Sequence, residues 1–169
     1  LGGCILALLA VPVWLAALHG SLGGWQPAGG WLAWHRHELV FGFALAIIAG
    51  FLLTAVQTWT GQPGLSGKPL AALALLWLAG RVAWLADVPW PLLASLELGF
   101  PLLVALLMGR AVYRVRQVRN YPIVMVLLLL TAMDGLAVCG LAQGHEGWQR
   151  QGVFGGLWLV AAMMGLIGG

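Results

Sequence analysis

The sequence predicts an all-α protein, a polytopic bundle of transmembrane helices with about six membrane spans. Of the 169 residues, 62% are hydrophobic and 8% are charged, whereas a soluble domain carries roughly a quarter charged residues. The apolar residues also stand in long continuous runs and do not alternate with polar ones, which favours helices over barrel strands. We expect residues 1–169 to form a single transmembrane domain and to be a piece of a larger bundle.

Three apolar runs lie in the first half of the chain. The first covers about residues 4–22 and is followed by a Gly-, Pro- and Trp-rich loop at 23–34. The second, about 38–56, has no charge after Glu38 and, at ~1.5 Å rise per residue, crosses most of the hydrocarbon core of a bilayer. A polar loop with the turn sequences GQPG and SGKP leads to the third, about 70–85.

Three further runs complete the predicted bundle. A tight turn at Asp87, Pro89 and Pro91 separates the third run from the fourth, and a basic loop at 113–120 separates the fourth from the fifth. A short polar loop precedes the sixth. These three spans are expected at about residues 92–112, 122–141 and 153–167.

The distribution of basic residues predicts the orientation of the spans. Five of them fall in two regions that six spans place on one side of the membrane: Lys68, Arg110, Arg114, Arg116 and Arg119. Because loops rich in Lys and Arg stay in the cytoplasm, we expect this side, and with it the N-terminus, to be cytoplasmic. Arg36 and Arg150 lie on the other side and are outnumbered. The same topology gathers the histidines at the outer, periplasmic face: His19, His35, His37 and His145.

Three ionisable residues are predicted inside spans, where a charge costs roughly 2.5–3.5 kcal/mol. Arg81 and Glu97 lie at depths that differ by ~3 Å at helical rise, so we expect either an ion pair between them or a contact of Arg81 with an anion such as a haem propionate. Asp134 lies deep in the fifth span without an obvious partner. It is expected either to be protonated and bonded to a backbone carbonyl, or to belong to a proton relay.

Two histidines and a glutamate stand at the start of the second span. His35 and His37 diverge by about 200 degrees on a regular helix. They can therefore share a metal only where the backbone is not helical; otherwise each serves a different centre, or one of them is not a ligand. His35 and Glu38 can share a helix face, and the helix dipole also favours Glu38 in the first turn. The alternative for these residues is polar anchoring at the membrane interface.

Further candidate ligands lie outside this segment. Either His19 or His145 could supply another ligand, and Cys139 is a less favoured copper ligand. A row of small residues recurs every fourth position along the second span and predicts the close approach of another helix: Gly42, Ala46, Gly50 and Thr54.

Several classes of function find no support in the sequence. It contains no nucleophile elbow, P-loop, dinucleotide fingerprint or zinc-protease motif, so nothing indicates a hydrolase or an NTPase. The Cys-x-x-Cys-His sequence of covalently bound c-type haem is also absent. The net charge of +3 gives no indication of a nucleic-acid partner. Cys4 and Cys139 are expected near opposite membrane faces, which predicts no disulfide between them.

The second span carries a longer motif, W-H-x-H-E-x-x-F-G, whose fixed positions are Trp34, His35, His37, Glu38, Phe41 and Gly42. The sequence A-G-F-L-L-T-A-V follows at 49–56 and W-T-G at 59–61, and R-N-Y stands at 119–121 before a span. With these motifs the chain resembles the NnrS family. The resemblance covers nearly the whole chain but only the N-terminal part of a family member.

This resemblance implies a bacterial inner-membrane protein that binds haem and copper and is linked to nitric oxide and denitrification. It implies that His35 and His37 are cofactor ligands, with Glu38 as a hydrogen-bond acceptor or proton carrier and Arg81 as a charge partner. Further ligands would lie in the C-terminal half of the family fold, which we expect to be missing from this chain. The expected partners are the lipid bilayer and nitric oxide.

Two functions of different class follow. The first is a haem- and copper-binding membrane protein that relieves nitric oxide stress. The second is a transporter or sensor component without redox chemistry, which would use Glu38, Asp134 and the Arg81–Glu97 pair as a polar pathway. Neither assigns a reaction, so whether the protein is an enzyme stays open.

Overall fold

The chain folds into a bundle of helices, and no strand occurs among the described residues. The computed structural model describes residues 2–86 and 88–168; Asp87 of the predicted turn and Gly169 lie outside them. A short 3-10 turn at Val118–Asn120 precedes the fifth helix. The helices are α1 (Gly2–Leu18), α2 (Trp31–Thr60), α3 (Gly67–Leu85), α4 (Trp90–Arg114), α5 (Tyr121–Ala142) and α6 (Glu146–Gly168).

The predicted class, an all-helical membrane bundle, is confirmed. Within the described part of the chain, α2 to α6 are long and apolar enough to cross a membrane. The first helix, α1, is apolar too, but its 17 residues span about 26 Å, less than the roughly 30 Å of a hydrocarbon core. These lengths and compositions make the chain a multi-pass membrane protein.

Several helix ends differ from the limits drawn from hydropathy. Helix α1 ends at Leu18, because the following turns contain glycines with positive φ. Helix α2 begins at Trp31, earlier than predicted, and its Trp34 is already buried. Helix α6 begins at Glu146, also earlier, and Gln149 in its second turn is buried. Polar or aromatic residues that pack inside the bundle therefore extend helices beyond their apolar stretches.

Helices α5 and α6 share the most extensive packing in the described bundle. A Cβ atom at Gly140 would lie 2.5 Å from the Gln149 nitrogen, and one at Gly152 would lie 2.5 Å from the Met133 carbonyl oxygen. The two backbones are thus in contact at positions where any side chain would separate them. The row of small residues that brings helices together in this protein lies mainly on α5 and α6.

The row of small residues predicted on α2 packs against another helix at one end but not further along. Gly42 lies against Arg81 of α3, whose Nη1 would be 2.8 Å from a Cβ at position 42. Gly50 has no neighbour within 4 Å and is exposed, so the predicted close approach of a helix is wrong there. Instead, Gly50 borders a groove of about 480 Å³ between α1, α2 and α3.

Tryptophans close one end of the bundle. Trp34 near the start of α2, Trp84 near the end of α3, Leu93 near the start of α4 and Val138 near the end of α5 form one buried cluster. The Ala28 N–H donates a hydrogen bond to the Trp84 carbonyl at 2.9 Å, which ties the loop before α2 to the end of α3. These helix ends therefore lie on the same side of the membrane, directly above the buried polar residues.

Candidate metal centre

His37 and Glu38 lie where α2 changes its winding. Residues Trp31–His37 form a regular α-helix, Glu38–Ala44 are wound as a π-helix, and Leu45–Thr60 are α-helical again. A π-helical turn is wider than an α-helical one, and such turns are frequent at functional sites. His37 and Glu38 are both buried, so two consecutive ionisable side chains of α2 face the inside of the bundle.

Gly42 provides the space that the Glu38 carboxylate occupies. A Cβ atom at position 42 would overlap Glu38 Oε2, so no other amino acid fits there without displacing the carboxylate. Trp77 of α3 donates its indole N–H to the Gly42 carbonyl at 3.1 Å. The Arg81 guanidinium lies 5.9 Å from the centroid of the same Trp77 ring. The Trp77 hydrogen bond holds α3 against the π-helical segment, and the contact between Arg81 and Trp77 lies within α3.

His37 is paired with Asp134 of α5. His37 Nε2 lies 2.7 Å from Asp134 Oδ1, and both side chains are almost fully buried. The imidazole is enclosed by Trp84 and Phe41, whose ring centroids lie 4.4 Å and 5.1 Å from its own. Asp134 was expected either to bond a backbone carbonyl or to belong to a proton relay. The first alternative is wrong, because an imidazole from another helix meets the carboxylate; the second stays a prediction.

The predicted ion pair between Arg81 and Glu97 is confirmed: Arg81 Nη2 donates to Glu97 Oε2. Arg81 Nε also lies 3.3 Å from Glu38 Oε1, and Glu97 Oε2 lies 4.0 Å from His37 Nε2. One arginine thus connects an acid of α2 with an acid of α4. We refer to the five residues joined by these contacts as the ionic cluster: His37, Glu38, Arg81, Glu97 and Asp134.

Much of the hydrogen-bonding capacity of the ionic cluster is unused. Buried polar atoms are normally hydrogen-bonded, and exceptions require an explanation such as a bound ion or water. Six buried atoms of the cluster form no hydrogen bond among the described residues: His37 Nδ1, Glu38 Oε1, Glu38 Oε2, Arg81 Nε, Arg81 Nη1 and Glu97 Oε1. Of these, Arg81 Nε and Glu38 Oε1 face each other as an ion pair without forming a hydrogen bond. The cluster can therefore accommodate an additional group.

Three residues of the ionic cluster could hold a metal ion together. His37, Glu97 and Asp134 each offer one ligand atom, and these atoms lie within 4.8 Å of one another. The set combines one imidazole with two carboxylates, donors that suit divalent ions such as Cu²⁺ or Zn²⁺. The ligands come from α2, α4 and α5, so an ion bound there would join three helices. We refer to these three residues as the ligand set.

The other histidine of the motif does not belong to the ligand set. His35 is partly buried, and its ring stacks on Trp14 of α1 with centroids 4.0 Å apart and planes 10° from parallel. His35 therefore contacts α1, while His37 contacts α5. This divergence agrees with the angle expected for two residues two positions apart on a helix.

The remaining candidate ligands lie at the surface. His19 donates to the Leu15 carbonyl at 2.8 Å and is exposed. His145 is exposed beside Trp148, with ring centroids 4.9 Å apart. Neither belongs to the ligand set, and their metal-binding role stays a prediction. Cys4 and Cys139 are free and exposed, as expected for two cysteines that do not form a disulfide.

Sequence reasoning singled out all five members of the ionic cluster but did not connect Glu97 and Asp134 with His37. Residue 134 lies 97 positions from residue 37, and no periodic pattern relates positions so distant. The available signal was the position of Asp134 itself, because an acid deep in a membrane span is expected to have a partner.

Comparison with known protein families gives a match that covers the whole chain. The family described as NnrS protein matches residues 1–169, a range that includes every member of the ionic cluster. No curated protein and no solved structure matches the chain. The family and the geometry of the buried residues are thus the two sources from which a function is inferred.

Proposed function

The chain belongs to the NnrS family, and we propose that it is a membrane protein that binds copper and haem and acts in the response to nitric oxide or in denitrification. The family resemblance implies these cofactors and this role. The observation that carries the proposal is the ligand set inside the bundle. A bound copper ion or haem iron would supply the centre to which nitric oxide coordinates.

The donor chemistry of the ligand set supports copper. Imidazole together with carboxylate oxygens suits Cu²⁺, and His37, Glu97 and Asp134 converge from three helices with ligand atoms within 4.8 Å of one another. His37 Nδ1 and Glu97 Oε1 have no hydrogen-bond partner among the described residues, so each side chain keeps capacity beyond its present contacts. We propose that these three residues hold the copper ion.

The charges of the ionic cluster also support a divalent cation. With a neutral imidazole at His37 and all three carboxylates ionised, the contacts of the cluster with one guanidinium would leave two excess negative charges inside the bundle. Buried charge without compensation is strongly unfavourable. One divalent cation would balance the cluster. Arg81, held by Glu38 on one side, would position Glu97 on the other.

The surroundings of His37 do not fit haem. The imidazole is 0% exposed, it lies between Trp84 and Phe41, and its Nε2 already meets Asp134. A haem plane needs an open face next to its imidazole ligand, and these neighbours occupy that space. His35 is the motif histidine that is only partly buried, and we propose it as the haem ligand.

We further propose that the protein resides in the bacterial inner membrane with its N-terminus in the cytoplasm. Arg110, Arg114, Arg116 and Arg119 lie at or after the end of α4, and Lys68 lies at the start of α3. The positive-inside rule favours a cytoplasmic location for these helix ends. The tryptophan-covered end above the ionic cluster would then face the periplasm, where extracytoplasmic nitric oxide would reach it first.

The copper assignment is tested by metal analysis of the purified full chain. We expect about one copper per chain, and we expect His37→Ala and Asp134→Asn to lower copper affinity by roughly tenfold or more. Glu146→Gln is the control, because it neutralises an exposed acid outside the ionic cluster. Copper binding as tight in His37→Ala and Asp134→Asn as in the wild type would contradict the assignment.

The haem assignment is tested by optical spectra of the same preparations. A Soret band is expected in the wild type and in His37→Ala, and it should be lost in His35→Ala. Loss of the band in His37→Ala with retention in His35→Ala would reverse the assignment. Copper and haem are thereby tested by separate variants of one motif.

A transporter or sensor component without redox chemistry is a second candidate. The observation that favours it is the continuity of ionisable groups across α2, α3, α4 and α5, because such intramembrane networks often mark proton or ion pathways. Two protons would balance the cluster as well as one divalent cation. Metal-free protein whose ion flux in proteoliposomes is abolished by Asp134→Asn would favour this candidate over copper binding.

A further inference from the structure

One groove is lined by the two arginines that do not follow the charge distribution of the rest of the chain. Arg36 and Arg150 were the exceptions to the predicted orientation, because they lie at the end of the bundle away from the five basic residues of the predicted cytoplasmic side. Helices α2 and α6 bring them to a single groove of about 240 Å³. The other residues that line it are all apolar: Leu39, Val40, Val153, Phe154 and Leu157.

The groove has a charged end and an apolar end. Arg36 is about 7.5 Å along α2 from its first residue, and Arg150 is about 6 Å along α6 from its own, so the two guanidiniums originate at similar depths. Val40 and Phe154 lie one helical turn further into the membrane, and Leu157 lies two turns further. A molecule seated here would meet positive charge near the membrane surface and hydrocarbon below it.

The packing of α6 on α2 creates the floor of the groove. A Cβ atom at Gly156 would lie 2.6 Å from Phe41 Cζ and 3.1 Å from Val40 Cγ1, so the two helices touch at this level. Above this level, each of the two helices contributes one arginine to the groove. The groove is therefore formed by the fold and does not depend on the orientation of one flexible side chain.

Both guanidiniums lack a countercharge. Neither Arg36 nor Arg150 forms an ion pair with any described acidic residue, and both are exposed. They lie close to the starts of α2 and α6, where the helix dipoles add partial positive charge. An anionic group near the membrane surface is the complement of this arrangement.

We propose that this groove binds one anionic phospholipid, with its phosphate between Arg36 and Arg150 and an acyl chain along Val153 and Leu157. A phosphate accepts hydrogen bonds from guanidinium groups in a paired geometry. The apolar lower lining favours an acyl chain over a soluble anion. The lipid would bridge α2, which carries the ligand set residue His37, and α6, which packs on α5.

The proposal is tested by native mass spectrometry of the purified full chain in detergent with added dioleoyl phosphatidylglycerol or dioleoyl phosphatidylcholine. We expect the wild type to bind phosphatidylglycerol at least tenfold more tightly than phosphatidylcholine, and the double variant Arg36→Gln/Arg150→Gln to lose this preference. The matched control is Arg110→Gln/Arg114→Gln, which removes two exposed arginines at the opposite end of the bundle and should keep it.

A third variant separates a formed site from diffuse attraction. Val153→Trp keeps both arginines and fills the apolar part of the groove, so it should bind phosphatidylglycerol at least tenfold more weakly. Equal binding of the two lipids by the wild type would overturn the proposal, as would unchanged preference in Arg36→Gln/Arg150→Gln or in a folded Val153→Trp. Loss of haem from Arg36→Gln/Arg150→Gln with lipid binding retained would assign the groove to haem propionates instead.

Discussion

The two halves of α2 each bury one face in the bundle, but these faces are held by different interactions. In the first half, His37 and Glu38 meet ionisable partners on α3, α4 and α5 through individual contacts of defined geometry. In the second half, Leu45–Thr60, the buried residues other than Thr60 are apolar, and Leu52 is 0% exposed. The first half is wound as a π-helix over Glu38–Ala44, whereas the second is regular.

This difference shows two ways in which one membrane helix can be fixed in a bundle. The second half depends on packing summed over many small contributions, since lipid solvates apolar side chains almost as well as protein does. The first half depends on a few charged groups, each of which is costly if it loses its partner. Single substitutions should therefore have larger effects in the first half.

The largest effect is expected for Arg81→Met. It removes the cation that faces Glu38 and Glu97 and leaves both acids buried, which should destabilise the protein by about 3–5 kcal/mol. Thermal unfolding in detergent measures this. Arg110→Met, at an exposed arginine of α4, is the control and should have little effect. If the two variants unfolded at the same temperature, the ionic contacts that hold the first half of α2 would contribute no more to stability than an exposed arginine does.

A smaller effect is expected for Leu52→Ala in the second half. The substitution leaves a cavity in the core, but lipid also solvates the leucine side chain in the unfolded state, so we expect about 2 kcal/mol, the low end of the usual range. Copper content should be unchanged. The control is Leu75→Ala, at a residue that is 65% exposed. A drop in copper content with Leu52→Ala would show that the two halves are coupled.

Gly42→Ala should have an intermediate to small effect, about 1–3 kcal/mol, because the new methyl group overlaps the Glu38 carboxylate and approaches Arg81. The measurement is unfolding in detergent together with copper affinity, which should fall as Glu38 and Arg81 are displaced. An alanine variant that matches the wild type in both would mean that the carboxylate is not confined by Gly42.

The smallest effect is expected for Gly50→Ala, eight residues along the same helix. No atom lies within 4 Å of a Cβ at this position, and alanine is the better helix former by about 1 kcal/mol. The variant should unfold at the same temperature as the wild type or slightly higher. Clear destabilisation would indicate that another helix does cover the groove beside Gly50.

Much of the fold could be predicted from the sequence, because apolar runs and turn residues are local signals. The Arg81–Glu97 pair could also be predicted, since depth in a span follows from counting residues at constant rise. The early start of α2 at Trp31 could not, because it depends on the burial of Trp34 among residues of three other helices. Gly152 and Gly156 show the small-xxx-small spacing of a packing surface, which is a local signal for the close approach of α6 to its neighbours.

The site could be predicted only in part. The motif identified His37 and Glu38, but local spacing could not distinguish His35 from His37, because their environments depend on which helix each one meets. The π-helical winding left no recognisable pattern in the sequence. The pairing of His37 with Asp134 depends on how α5 packs, which hydropathy does not specify.

The absence of a side chain at position 42 also constrains how related sequences can vary. A chain with alanine or serine there has no space for a carboxylate at 38 that faces a guanidinium at 81. Substitutions at 38, 42 and 81 should therefore occur together during evolution, as a covarying triplet. A chain that lacks the acid at 38 would be free to carry a larger residue at 42.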